Sequence, residues 1–568
     1  MTAPQALSDD LLSTVVAWTR QDPDTVTRSQ ADELVRAART GDLTAVAELT
    51  DAFTGRLQFG TAGLRGPLGP GPSRMNRVVV GQAAAGLASY LLDRGLPGGP
   101  VLIGYDARKN SDVFARDTAE IMAGAGFSPL LTDGPLPTPV AVFGIRHFSC
   151  VAGIVVTASH NPPQDNGYKV YLGDGSQIVP PADADIASRI SEIARHDLND
   201  VARSTDYVIL GGELVSAYLE RIASLVPRDA ERDLRWVYTP LHGVGAAVVT
   251  AAVAAAGFQA ASVVAEQAEP DPAFPTVAFP NPEEPGAIDL ALAQAERTRA
   301  DLVVANDPDA DRCAVAAPIG GHWRMLRGDE LGALLADDAL RRQVHGTYAC
   351  SIVSSSLLSV MAADSGQPFT YTPTGFKWIG RVPGLAFGYE EALGYCVDPA
   401  AVRDKDGISA LIRVLALTAE CKAERSTLAD RLDGIARRYG IYETDQLSVR
   451  VDDLRTIADA MARLRARPPT RLVGQPVAVT DLLHGSEQLP PTDAIRMAGQ
   501  ALTVVVRPSG TEPKLKCYLE VRLPPPHSAE LLSVRKEARS TLQRLRDDLA
   551  TALGFANIRP ATYWLNPR

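Results

Sequence analysis

Ser159 is the residue of this chain with the least ordinary surroundings. It stands in Thr157-Ala158-Ser159-His160-Asn161-Pro162-Pro163, with Asn166-Gly167-Tyr168-Lys169 close behind. The apolar, β-branched run Gly153-Ile154-Val155-Val156 before it predicts a buried strand. Asn161 and the two prolines cannot continue a regular ladder, so the serine falls on a tight loop at a strand end. Loops at the carboxyl ends of strands are where α/β proteins keep their chemistry. A hydroxyl nucleophile beside a histidine is one reading, and a structural Ser–His turn is the other. No G-x-S-x-G elbow surrounds Ser159, which argues against an acyl-transfer hydrolase.

A second apolar run, Leu302-Val303-Val304-Ala305, enters Asn306-Asp307-Pro308-Asp309-Ala310-Asp311-Arg312. Carboxylates at alternate positions converge only around a cation, and hard oxygen ligands suit Mg²⁺ with room for water or a phosphate oxygen. A solvated acidic turn is the competing reading. An EF-hand fits poorly, because Arg312 stands where that loop needs glycine and Pro318 where it needs glutamate.

The third segment, Arg507-Pro508-Ser509-Gly510-Thr511-Glu512-Pro513-Lys514-Leu515-Lys516, follows the predicted strand Leu502–Val506. An arginine, two hydroxyls, a glycine that frees backbone N–H groups and two lysines make a phosphate cradle. An ordinary basic turn is the alternative.

In this order the three segments resemble the α-D-phosphohexomutase superfamily of phosphoglucomutases, phosphomannomutases and their relatives. Phe59-Gly60-Thr61-Ala62-Gly63-Leu64-Arg65-Gly66 is similar to the family's N-terminal active-site loop, and Gly104-Tyr105-Asp106-Ala107-Arg108 to the strand end that follows it. Thr374-Gly375-Phe376-Lys377 and Gly388-Tyr389-Glu390-Glu391-Ala392 resemble its sugar-reading loops. The likeness runs from about Leu57 to Val521. It implies three similar mixed-sheet α/β domains and a smaller α+β fourth domain around a central cleft. The expected extents are 1–205 (helical extension plus phosphoserine loop), 206–320 (metal), 321–439 (sugar) and 440–568 (phosphate).

The resemblance also implies a mechanism. Ser159 would carry a phosphoryl group, and Mg²⁺ would bind it together with Asp307, Asp309 and Asp311. Without a cation, three carboxylates beside a phosphate would repel strongly. A sugar hydroxyl would take the phosphoryl group, the bisphosphorylated sugar would turn around, and its other phosphate would return to the serine. A sugar bisphosphate would act as activator. Lys169 matches the family's candidate acid/base, a role that asks for a pKa lowered by burial or by neighbouring cations, Arg65 and Arg312 by analogy. Arg65 itself would stabilise charge, and His160 would bond the phosphate or orient the loop. Thr374, Gly375, Lys377 and Glu390 would read the sugar, while Arg507, Ser509, Gly510, Thr511 and Lys514 would hold the distal phosphate. Arg312 would assist substrate binding. Arg403, Lys405 and Asp406 border the cleft or form a solvated loop, and His242 shapes its own loop.

The resemblance predicts an intramolecular phosphotransferase working between the 1- and 6-positions of glucose or mannose phosphate. Ala392 lacks the hydroxyl that glucose-specific relatives often carry after the paired glutamates. It resembles the branch with phosphopentomutases and sugar-bisphosphate synthases. A haloacid-dehalogenase-type phosphatase would use Asp307 as nucleophile but leaves the Ser159 and Arg507 segments unexplained. A non-catalytic sugar-phosphate sensor would keep the cradle alone.

Composition agrees with a multidomain globular protein. The chain has 568 residues, 46% hydrophobic and 22% charged, long enough for about four domains. A net charge of −11 argues against non-specific nucleic-acid binding. The six cysteines form no C-x-x-C pair, so neither a zinc site nor a disulfide framework is indicated. Met1-Thr2-Ala3-Pro4-Gln5 opens no secretory signal, and the alanine-rich stretch from Val244 is broken at Gly257, too short to span a bilayer. The expectation is a cytoplasmic protein acting on phosphosugars without nucleic-acid or membrane partners; its oligomeric state is left open. Strands are expected at Val101–Tyr105, Trp236–Thr239 and Ala261–Val264, and helices at Ser111–Ala125 and Gly245–Ala256. Leu11 to Leu49 should form added amphipathic helices on the first domain.

Overall fold

A computed structural model describes residues 8–451, 453, 455–486, 489–509 and 514–555. The chain divides into two compact units: Met1–Arg228, Arg235–Cys313 and Ala400–Ile412 form one, and Asp229–Leu234, Ala314–Pro399 and Arg413–Arg568 the other.

The first unit begins with helices Asp9–Gln21, Thr25–Arg39 and Leu43–Phe53. Ser8, Asp24 and Asp42 start them by accepting from Leu11, Val26 and Thr44 backbone N–H groups, which would otherwise lack partners. Their apolar faces bury Val15, Trp18, Leu49 and Phe53 against Val78 and Leu198 of the following domain. That domain is built on a mixed six-stranded sheet. Its order is Leu64–Pro67, Asp165–Leu172, Ala152–Val156, Pro100–Tyr105, Ser128–Thr132, Val208–Leu210. The four strands from Ala152–Val156 to Val208–Leu210 run parallel, while Asp165–Leu172 returns antiparallel beside the serine-loop strand. Helix Arg77–Asp93 is apolar on nearly every side and correspondingly buried. Ile103, Phe114, Ile154 and Tyr168 are fully enclosed in this core, each side chain contributing about 1.5–3 kcal/mol.

The other sheet of this unit pairs Trp236–Thr239 in parallel with Leu302–Ala305 and with Ser262–Val263. The latter is shorter than the expected Ala261–Val264, because Val264 already caps a 3-10 turn over Ala265–Gln267. The strands at 100–105, 236–239 and 302–305 and the helices Ser111–Gly124 and Gly245–Ala255 stand where the pattern put them, within a residue or so.

The second unit opens with an antiparallel hairpin, Ala314–Ile319 with His322–Met325. A mixed sheet follows, in the order Phe369–Thr372, Thr347–Ser351, Leu385–Glu390, Gly394–Cys396. Its first three strands are parallel, and the short last one is antiparallel. The C-terminal domain is an antiparallel five-stranded sheet, in the order Ile441–Arg450, Lys514–Leu523, Leu502–Pro508, Ile495–Ala498, Ala478–Asp481, covered by helices Arg455–Ala466 and Leu531–Leu553. Three α/β domains with mixed sheets and an antiparallel C-terminal domain are the architecture expected above. Among the described residues, no helix is long and apolar enough to cross a membrane.

Candidate active site

The strand Ala152–Val156 delivers Ser159 into a buried loop, where the serine adopts φ 50° and is only 3% exposed. A left-handed conformation costs a residue with a Cβ about 1–2 kcal/mol, so the surroundings must hold it. The Ser159 N–H donates to Thr157 Oγ1 at 2.9 Å, and its hydroxyl donates to Asp307 Oδ2 at 2.7 Å. His160 Nδ1 lies 3.1 Å from the same hydroxyl oxygen. Arg65, on the edge strand Leu64–Pro67, donates to Asn161 Oδ1 at 2.9 Å, and burial lowers its pKa. The turn before Arg65 is possible because Gly63 has φ +75°; a Cβ there would meet the Tyr168 carbonyl oxygen at 1.8 Å.

The strand Leu302–Ala305 delivers the acidic loop. Asp307, Asp309 and Asp311 are each at most 1% exposed, with carboxylate oxygens all within 4.8 Å of one another. The loop rests on Gly243, where a Cβ would meet Pro308 Cα at 2.3 Å. The Val244 N–H donates to the Pro308 carbonyl. Neighbouring His242 is buried and bonds Thr276 Oγ1 at 2.8 Å, the loop-shaping role expected for it.

Strand alternation places Tyr168 in the core and Lys169, paired with Val155, on the opposite face. Lys169 Nζ donates to Asp309 Oδ2 at 2.7 Å and to Asp311 Oδ2 at 2.8 Å. Burial alone would lower its pKa, but Asp309 and Asp311 outweigh that and raise it. This is the opposite direction to the lowered pKa the acid/base role asks for, because the two carboxylates touch Lys169 and together outweigh both burial and the neighbouring Lys405 cation. Burial works against Asp309 ionising too, but Lys169 holds its pKa well below the ordinary value. Asp307 goes the other way, raised by burial and by its two acidic neighbours. Arg312 Nε stands 3.8 Å from Asp307 Oδ2 and 4.0 Å from Asp311 Oδ1.

Asp309 Oδ1 and Asp311 Oδ1 are buried without a hydrogen-bond partner among the described residues. Two orphaned carboxylate oxygens in so negative a cluster fit a hard divalent cation. The charged knot near residue 405 belongs to this cluster and is not a solvated loop. Lys405 Nζ lies 3.3 Å from Asp311 Oδ2, Asp404 accepts from Tyr171 and Gln177, and Asp406 accepts from Tyr218.

In the second unit Gly375, at φ 116°, starts the short helix Phe376–Ile379 that carries half-buried Lys377; Thr374 precedes it, also half-buried. The Gly375 N–H donates to Glu390 Oε1 at 2.7 Å. Glu391 accepts from Ser351 and Ser354, and burial together with Glu390 pushes its pKa up to about 7. On the C-terminal sheet Arg507 pairs with Lys516. The Ser509 N–H donates to the Lys514 carbonyl at 2.8 Å, closing the loop's base. Gly510 and Thr511 lie outside the described residues.

Family models for the four phosphoglucomutase/phosphomannomutase domains match in order: domain I over residues 56–197, II over 216–320, III over 327–439 and the C-terminal domain over 447–537. The chain belongs to the phosphoglucomutase/phosphomannomutase family. It is a mutase. It is 49% identical to a Haemophilus influenzae protein named "Probable phosphomannomutase", over 80% of this chain and 95% of that one. Human phosphopentomutase is 32% identical, over 97% of this chain and 96% of the relative. Saccharomyces cerevisiae phosphoribomutase is 34% identical, over 91% and 93%. A solved family protein from Burkholderia thailandensis shares the fold at TM-score 0.68 and 20% identity, covering 89% of this chain and 99% of that one.

Three residues around this mutase's acidic cluster and serine loop escape sequence reading. Thr138 donates its hydroxyl to Asp309 Oδ2 at 2.7 Å, Lys405 reaches Asp311, and Arg108 grips the serine loop. Thr138 starts a helix, where a hydroxyl normally signals only a cap. Arg108 and Lys405 stand in segments already singled out, but nothing local says which partner each meets.

Proposed function

We propose that this mutase transfers a phosphoryl group between the 1- and 6-positions of a hexose phosphate, glucose or mannose, through a phosphoserine at Ser159. One observation carries the reading: the Ser159 hydroxyl donates at 2.7 Å to Asp307, inside a buried triple-aspartate cluster. A serine so placed can present a phosphoryl group to a cation held by Asp307, Asp309 and Asp311. Bound there, Mg²⁺ would neutralise the phosphate and polarise phosphorus.

The chain's own residues account for the rest. A sugar hydroxyl bonds to phosphorus as the Ser159 Oγ–P bond breaks, giving a bisphosphorylated sugar. Its other phosphate then returns to the serine, and added sugar bisphosphate charges the enzyme. Lys169, beside Asp309 and Asp311, is the candidate to pass the sugar hydroxyl's proton to the departing serine oxygen, a role that needs its pKa brought down once a bound cation takes up those carboxylates' charge. Arg65, Arg312 and His160 stabilise charge on the transferring group. Glu390 accepts from sugar hydroxyls, since a carboxylate only accepts. Thr374, Gly375 and Lys377 line the same sugar loop. Arg507, Ser509, Gly510, Thr511 and Lys514 hold the phosphate that is not reacting. All six cysteines are buried and free, in keeping with a reducing cytoplasm.

A second reading, a pentose 1- to 5-phosphate mutase, has its own support. Ala392 removes a hydroxyl from the sugar loop, and the phosphopentomutase and phosphoribomutase relatives match more of the chain than the phosphomannomutase does. Parallel kcat/KM measurements on glucose, mannose, ribose and deoxyribose 1-phosphates decide between them. Higher values for either pentose overturn the hexose assignment; no turnover of any of the four overturns the mutase chemistry proposed here.

A further inference from the structure

Arg108 follows the strand Pro100–Tyr105 and is only 4% exposed. Its Nη1 donates to the carbonyls of Pro162 at 2.8 Å and Asp165 at 3.1 Å. Its Nη2 donates to the carbonyls of Ser159 at 2.6 Å and Asn161. One planar fork thus engages four carbonyls between Ser159 and Asp165. A lysine, with donors on one tetrahedral nitrogen, cannot reproduce that pattern.

The fork is itself fixed. Arg108 Nε faces Asp106 Oδ2 at 3.6 Å, and Asp106 Oδ1 accepts from the Arg108 N–H and from Ser111 Oγ. The ring of Phe274, 2% exposed, lies 5.0 Å from the guanidinium carbon, a cation–π contact. The loop has little ladder of its own, chiefly Asn161 N–H to Ala158 and Asp165 N–H to Pro162. Yet it keeps Ser159 at φ 50° with its hydroxyl against Asp307.

We infer that Arg108 is a positioning residue for phosphoryl transfer: it clamps the loop backbone so that Ser159 Oγ stays at the acidic cluster. It touches no reacting atom. Loosening the clamp misaligns the phosphoserine relative to a bound sugar hydroxyl. Attack by water, which forms the O–P bond and breaks the same Oγ–P bond to release phosphate, needs no such alignment and suffers less. The phosphoenzyme should then partition toward hydrolysis. The inference rests on the phosphoserine reading above.

Wild type and Arg108→Lys would be charged with labelled sugar bisphosphate, and phosphate at Ser159 located by peptide mapping. Steady-state constants and the ratio of free phosphate released to sugar phosphorylated would follow. For Arg108→Lys, kcat should fall about a hundredfold with KM within about twofold, and the hydrolysis ratio should rise about tenfold. Wild-type kcat and ratio in a phosphorylated Arg108→Lys overturn the clamp, as does a loss of kcat with the ratio unchanged. Absence of phosphate from wild-type Ser159 overturns the phosphoserine reading instead. Should Arg108→Lys fail to fold, Phe274→Leu removes the ring face while leaving the Arg108 guanidinium and its four carbonyl acceptors in the chain. It should shift the ratio in the same direction by about threefold, and an unchanged ratio there counts against the clamp.

Discussion

Thr138 holds Asp309 twice: its hydroxyl donates to Oδ2 at 2.7 Å, and its N–H donates to the carbonyl at 2.9 Å. The residues are 171 positions apart, and the contact fixes which way the carboxylate faces. Outer partners of metal ligands typically matter about 10–100-fold in affinity. Thr138→Val should therefore raise the Mg²⁺ concentration for half-activation about tenfold. Titration calorimetry of the same variant should show the same weakening, and an unchanged Mg²⁺ constant would remove Thr138 from the metal's surroundings.

Ser159→Ala removes the proposed carrier. Turnover should fall by several orders of magnitude with near-ultraviolet circular dichroism intact, because a covalent relay has no bypass. Phosphate found on Asp307 after incubation with bisphosphate would favour a phosphatase.

Arg507→Ala should lose about a hundredfold in kcat/KM, roughly the 3 kcal/mol of a charge-assisted contact. Ser159 should still accept phosphate from excess bisphosphate. Wild-type kinetics would mean that the distal phosphate is bound elsewhere.

Glu391 makes a stability prediction. Its folded pKa, about 7, lies above the unfolded value, so the folded state binds the extra proton. Stability from this group is therefore greatest in acid and declines as pH rises from the ordinary glutamate range through about 7. Glu391→Gln mimics the protonated form, so it should be more stable than wild type at pH near 8, with a much smaller advantage at pH near 5. Denaturant midpoints at the two pH values test this; equal differences at both would refute it.

Sequence patterning reached the strands at 152–156 and 302–305 because each is a short apolar run closed by residues that cannot pair. It reached the convergence of Asp307, Asp309 and Asp311 because they share one loop. It missed Thr138, Arg108 and Lys405 as partners of the serine and acidic loops, since those contacts join positions far apart in the chain. It also misjudged Lys169. Only register shows that this side chain leaves the core face beside Tyr168 and meets two carboxylates, which set its charge more strongly than burial does.

The three N-terminal helices precede the first family domain, which begins at residue 56. Their inner face nonetheless shares one apolar cluster with Val78 and Leu198 of that domain. A chain trimmed to the family boundary would present those side chains to water as a new sticky surface. Such a fragment should precipitate or self-associate on expression even though every residue assigned to chemistry is still present. For anyone producing a minimal enzyme, the usable start lies ahead of Ser8, the residue that caps the first of these helices.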